Sequence, residues 1–162
     1  MSAHPPHGHR HPRWARRLFD EADFAAIAAA VERAEGATSA EIRVHLERYV
    51  HRLPWQSADA LRRARKVFDH LGMQNTAERH GVLIYLAVDD RKLAIVGDEG
   101  IHRRVGDAYW ERVRDLMIAK LREGHALDAV LAGVTEVGRV LAEHFPRRPD
   151  DRDELSNDVS VR

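Results

Sequence analysis

The chain contains no cysteine. Disulfides, thiolate nucleophiles, cysteine-ligated zinc and iron–sulfur clusters are thereby excluded, and the redox compartment leaves no mark on the sequence. Long apolar runs are also missing. The longest, Val82–Val88, has seven residues, against the roughly 18 that a membrane-spanning helix requires. The opening MSAHPPHGHRHPRW has no apolar stretch of the kind a secretory signal needs. Nor is there an excess of either charge. Lys plus Arg and Asp plus Glu balance at 26 each, so no global field draws the chain to nucleic acid or to an anionic membrane. These absences predict a soluble, cytoplasmic protein without a membrane span.

What remains is ordinary globular material. The 162 residues are 44% apolar and 32% charged, one domain's worth of chain and enough to bury about two-thirds of its unfolded surface. Residues 1–17 are rich in Gly, Pro, His and Arg and precede the first acidic residue, Asp20; too little apolar surface is available to offset the entropy of ordering them, which predicts a mobile tail. A second polar tail is predicted over 146–162, leaving a folded unit at 18–145.

Inside that unit the spacing of apolar residues reads as α-β-α-β-β-α-α. Asp20 suits a helix N-cap, with Phe19 and Phe24 at the two staple positions. Phe24, Ile27, Ala28, Val31 and Ala34 then form one helical face, stopped by Gly36. Ile42, Val44 and Leu46 alternate with Glu41, Arg43, His45 and Glu47, a strand with one wet face or one near a sheet edge. Ser57–Leu71 returns to helical spacing. Val82–Val88 is continuously apolar and asks for cover on both faces, and Leu93–Val96 reads as its hairpin partner. Two further helices run through Tyr109–Leu121 and Leu127–Leu141, and Trp55 and Trp110 read as core or staple residues. Four helices cannot share one face of a small sheet, so the expected fold is a three-layer α/β/α sandwich whose small mixed sheet has the Val82/Leu93 hairpin as its central pair.

Candidate chemistry lies in acids at strand ends. Asp98 and Glu99 follow the second hairpin strand between Gly97 and Gly100, Asp107 opens the next helix, and Glu41 opens the first strand. Hard cations such as Ca²⁺ and Mg²⁺ take carboxylate oxygens from loops, and α/β sheets collect ligands beyond strand ends. Asp98, Glu99 and Asp107, joined by Glu41 if its strand starts at that end, are therefore the candidate metal ligands, with Asp107 also readable as a helix N-cap. Asp89 and Asp90 fall at the other end of the hairpin and read as turn residues. Arg103 and Arg104 are candidate phosphate clamps. His7, His9 and His11 form an H-x-H-x-H element that chelates transition metals adventitiously, without the fixed second shell of a functional site. The run Arg62-Arg63-Ala-Arg65-Lys66 reads as the solvated face of an amphipathic helix, not as a nucleic-acid interface. Phosphate-cradling glycine motifs, metalloprotease motifs and nucleophile elbows are absent.

In their order along the chain these pieces resemble the TPM domain family. The similarity runs through Leu18-Phe-Asp-Glu-Ala-Asp23, Ala34–Val44, Phe68-Asp-His-Leu-Gly-Met73, Thr76, His80-Gly-Val-Leu-Ile-Tyr85 and Lys92–Asp98, and ends at His144-Phe-Pro146 and Asp151–Leu155. The resemblance implies an α/β/α sandwich and, by alignment of motifs, a family glutamate at Glu41 and a family aspartate at Asp107. Where the family turn has two glycines separated by one residue, Gly97 and Gly100 here are separated by two. Some members are described as weak acid phosphatases with a bound divalent cation, others as accessory factors of membrane complexes. The resemblance thus implies a non-catalytic accessory or protein-binding module with a Ca²⁺ or Mg²⁺ site, whose partner is another, membrane-associated protein; the alternative is a metal-assisted phosphatase acting on phosphomonoesters, for which the residues offer no nucleophile.

Overall fold

The computed structural model describes residues 11–51, 53–73, 80–149 and 157–162. Its first element, α1 (Arg13–Arg16), is a single turn. Helix α2 (Glu21–Glu35) begins as expected: the Asp23 amide donates to the Asp20 carboxylate (2.7 Å), the Asp20 amide donates back to Asp23 (3.0 Å), and Phe19 meets Phe24 edge to face at 5.7 Å. This reciprocal cap satisfies two of the N–H groups left open at a helix start. There follow β1 (Glu41–Glu47), α3 (Ala60–His70), β2 (Gly81–Ala87), β3 (Lys92–Gly97), α4 (Glu99–Val105), α5 (Asp107–Arg122), α6 (Ala126–His144) and β4 (Ser160–Val161).

The strands lie in the order β3-β2-β1-β4. β2 and β3 form the expected antiparallel hairpin, in unbroken register from Val82↔Gly97 to Ala87↔Lys92, while β1 runs parallel to β2 and β4 parallel to β1. Among the described residues α3 is the one helix on one face, packing on Leu83, Tyr85, Ala87 and Ala94. Helices α2, α5 and α6 cover the other, on Ile42, Val44, Leu46, Ile84 and Ile95. The α/β/α sandwich with a small mixed sheet is therefore the observed architecture. β2 is buried along its whole length because it is both interior to the sheet and covered twice. Among the described residues no helix is long and apolar enough to cross a membrane.

Several expectations are corrected in detail. The hairpin is not the central pair: β3 is an edge strand, and β1 lies between β2 and the C-terminal strand. The alternating polar residues of β1 do not face water. Glu41, His45 and Glu47 are buried; at Glu47, Arg63 of α3 donates from Nε (2.9 Å) and Nη2 (2.5 Å) and the Tyr85 hydroxyl donates at 2.9 Å. Alternation alone cannot tell a wet face from one that meets a buried ion pair, because the period is 2 in both. Trp55, expected in the core, is 78% exposed, whereas Trp110 is buried as expected.

Both ends of the folded unit also reach further than the composition predicts. Ala15 is fully buried, and His11 donates to Glu21 and stacks on Phe24 at 3.6 Å. At the other end Thr38 bridges to Pro146, Val159 is buried and Ser160–Val161 add a strand beside β1. Short polar stretches dock here because they borrow backbone partners from an existing sheet and helix, so little apolar surface of their own is needed.

Candidate functional site

Register brings two of the predicted acids, Glu41 and Asp98, to one rim of the sheet. Glu41 pairs with Gly81, and the Asp98 amide donates to the Gly81 carbonyl (2.9 Å). Glu41 and Asp98 thus stand one strand apart across Gly81. Asp98 is not in a turn, however. It is the N-cap of α4: one carboxylate oxygen accepts from the Ile101 amide (3.1 Å), the other from the Gly81 amide (2.6 Å). Burial pushes this carboxyl above its ordinary value, against the lowering effect of those backbone donors and of His80. The side chain is 8% exposed and knots β2 to the start of α4. His80, its neighbour, is held below the usual histidine value by burial and packs on Phe145 at 4.0 Å.

The remaining candidates separate. Glu99 and Arg103 form an exposed i,i+4 pair on α4, and the Arg104 guanidinium lies over the Phe145 ring. Asp107 is the first residue of α5, following Gly106 (φ 77°), with its carboxylate 84% exposed and 3.5 Å from His102 Nε2. Glu41 is buried at the opposite side of Gly81. Among the described residues no three His, Asp or Glu side chains converge to hold a metal ion, so the four carboxylates do not fit a common cation. At the far end of the hairpin Asp89 pairs with Arg48 (2.8 Å) and Asp90 accepts from the Val50 amide (2.7 Å), which gives both acids a structural occupation. His11 is engaged by Glu21; His7 and His9 lie outside the described residues.

What the structure adds is a groove. Along the outer edge of β3 a cleft of about 960 Å³ runs between the start of α3 (Ala58 to Leu61 and Arg65) and a wall from α4 and α5 (Glu99, His102, Asp107, Trp110, Glu111 and Arg114). Its floor is β3 itself, Lys92 to Gly97. Asp98 donates toward β2, so the alternation of an antiparallel ladder turns the N–H and C=O groups of Val96, Ala94 and Lys92 inward and those of Leu93, Ile95 and Gly97 outward. Among the described residues no strand lies beyond β3. Gly97 is required at the end of this floor: a Cβ there would sit 2.6 Å from Trp110 Cζ2. The Trp110 indole N–H beside it is buried and finds no acceptor among the described residues, an arrangement that natural interiors seldom leave unexplained.

Glu99 and Asp107, expected as metal ligands beside Asp98 and Glu41, line this groove instead; the groove and the places of Trp110, His102 and Glu111 in it were not foreseen. The signal was partial. A second hairpin strand shorter than its partner and begun by a lysine is compatible with an edge, yet only the strand order shows which edge is open.

The architecture is that of an α/β/α domain with one sheet edge open between two helical walls. The chain belongs to the TPM domain family, whose sequence profile matches residues 15–140. It is similar to the BA42 protein from the psychrophilic bacterium Bizionia argentinensis, with 38% identity and a TM-score of 0.77 over 87% of this chain and 93% of that one. It shares its fold with the N-terminal domain of a protein from P. gingivalis, with 22% identity and a TM-score of 0.64 over 79% of each chain. No curated protein matches it.

Proposed function

We propose that this TPM domain is a non-catalytic accessory module that takes up an extended segment of a protein partner along the outer edge of β3. The observation that carries this reading is the groove, with the outward backbone groups of Leu93, Ile95 and Gly97 on its floor. A partner strand would pair with those groups, as in strand addition to other exposed sheet edges, while its alternate side chains met the α3 and α5 walls. Each such hydrogen bond contributes about 0.5–1.5 kcal/mol net, and ordering the segment opposes it, so the expected complex is weak and transient. On the α4–α5 wall Asp107 and Glu111 stand beside Arg114 and His102, while Glu99 is paired with Arg103, so a partner side chain of either charge finds a counter-ion there. The test is selection of peptides on the full chain from a displayed library, followed by amide exchange with the winning peptide. Slowed exchange at Leu93, Ile95 and Gly97, and binding weakened by Glu111→Lys, support the proposal. Protection that maps elsewhere removes it.

The phosphatase alternative has less to stand on. Stabilising a transferring phosphoryl group needs cations gathered on its oxygens, and Arg103 and Arg104 are engaged by Glu99 and Phe145 outside the groove. Turnover of p-nitrophenyl phosphate with Mg²⁺ that disappears in a folded Asp107→Asn variant would nevertheless replace the accessory reading. Calorimetric titration with Ca²⁺ and Mg²⁺ decides whether Asp107 and Glu99 add a cation to this surface: the ion sits there if its heat is lost in Asp107→Asn and kept in Asp98→Asn.

A further inference from the structure

Among the described residues five large apolar side chains are substantially exposed, and four of them, Tyr49, Leu53, Trp55 and Leu61, fall within the β1–α3 connection and the first turn of α3. The connection is not shapeless there. The Gln56 amide donates to the Leu53 carbonyl (2.9 Å) and the Leu53 amide to Gln56 Oε1 (3.3 Å), a turn that holds Pro54 and Trp55 at its tip. Leu53 shares a pocket of about 380 Å³ with His51, Arg62 and Lys66, so the apolar tip and the basic residues form one surface. Asp59 is the only carboxylate between Arg48 and Lys66, and its side chain is occupied as the α3 N-cap. In a chain with no net charge this is a local patch in which exposed Leu53 stands beside His51, Arg62 and Lys66, with Asp59 3.9 Å from Arg62 Nε. Among the described residues α3 is the only helix on its side of the sheet, and Arg62, Arg65, Lys66 and Asp69 are among its exposed residues.

We propose that this patch docks on an anionic lipid bilayer, with Leu53 and Trp55 entering the interfacial layer and Arg62, Arg65 and Lys66 against lipid phosphates. Trp is the side chain best suited to the headgroup region, since its ring is apolar and its N–H polar. Each basic residue close to an anionic surface strengthens attachment about fivefold, an effect confined to roughly a Debye length. Unlike the groove along β3, this surface needs no extended peptide; Leu61 and Arg65 border both, whereas Leu53, Arg62 and Lys66 do not line the groove.

The test is co-sedimentation of the full chain with vesicles of phosphatidylglycerol and phosphatidylcholine in equal parts, against phosphatidylcholine alone, with tryptophan emission recorded in parallel. The expected result is partition onto the anionic vesicles only, with a blue shift, weakened by added salt. Trp55→Ala, at a position where nothing in the core is disturbed, is expected to lose the shift and about tenfold in partition, and Arg62→Glu with Lys66→Glu to lose at least that much. Equal partition onto both vesicles, no partition onto either, or variants that partition like the parent chain overturn the proposal. So does retention on duplex DNA at a salt concentration where the anionic vesicles bind nothing.

Discussion

Asp98 shows how a carboxylate can look like a ligand in the sequence and be a fastening in the fold. Two backbone N–H groups, from Ile101 and Gly81, occupy its two oxygens. Asp98→Ala removes a helix cap and leaves the Gly81 amide buried without its acceptor. The expected loss is about 2–3 kcal/mol, measured by urea unfolding; an unchanged midpoint would show that the carboxylate is free for other work. Glu47 makes the complementary case. Burial pushes its carboxyl up, but hydrogen bonds from His45, Arg63 and Tyr85 more than offset that and hold it at about 2, against an ordinary 4.5. A lowered folded-state value contributes stability that is present in full above pH 4.5 and is lost as pH falls toward 2. The amount is about 3 kcal/mol. Glu47→Gln is expected to be less stable at neutral pH and to have a flatter acid limb over that window, read from urea midpoints at stepped pH. An acid limb identical to that of the parent chain would assign the effect to other groups.

At the scale of elements, packing depends on small residues where helices cross. Gly138 on α6 faces Ala34 on α2 so closely that a Cβ would stand 2.7 Å from the alanine methyl. Gly138→Ala must push the two helices apart, at a cost of about 1–3 kcal/mol that outweighs the gain in helix propensity. Thermal unfolding of the variant checks this, and a raised midpoint would mean that the helices have room to part. The type and order of the long elements were legible because apolar residues recur at 3.6 or 2 positions. The burial of β1's polar face was not legible. His45 and Glu47 alternate with Ile and Leu just as a solvated face would, and the residues that make them tolerable in the interior, Arg63 and Tyr85, come from α3 and β2.

For the molecule as a whole the two sheet edges differ. One is closed by the chain's own C-terminal residues: Val159 is buried, Ser160 hydrogen-bonds His45 Nδ1 (2.9 Å) and the Arg162 amide donates to the Leu46 carbonyl (3.0 Å). Removing residues 157–162 is expected to cost about 3 kcal/mol without loss of the fold, seen as a lower urea midpoint with an unaltered circular-dichroism spectrum. A midpoint equal to that of the full chain would mean the strand contributes nothing. The other edge, β3, stays open between its helical walls and carries the proposed binding function. By itself the sequence determined the classes and order of the long helices and strands, the antiparallel hairpin and the layered fold, because those follow from periodicity, caps and turn residues close together in the chain; α4 and β4 had no such signal. Only the tertiary structure decided which strand ends the sheet, whether Asp98 is a ligand or a cap, and that Trp55 stands in solvent. Each of those depends on neighbours supplied by distant segments, and no local pattern encodes them.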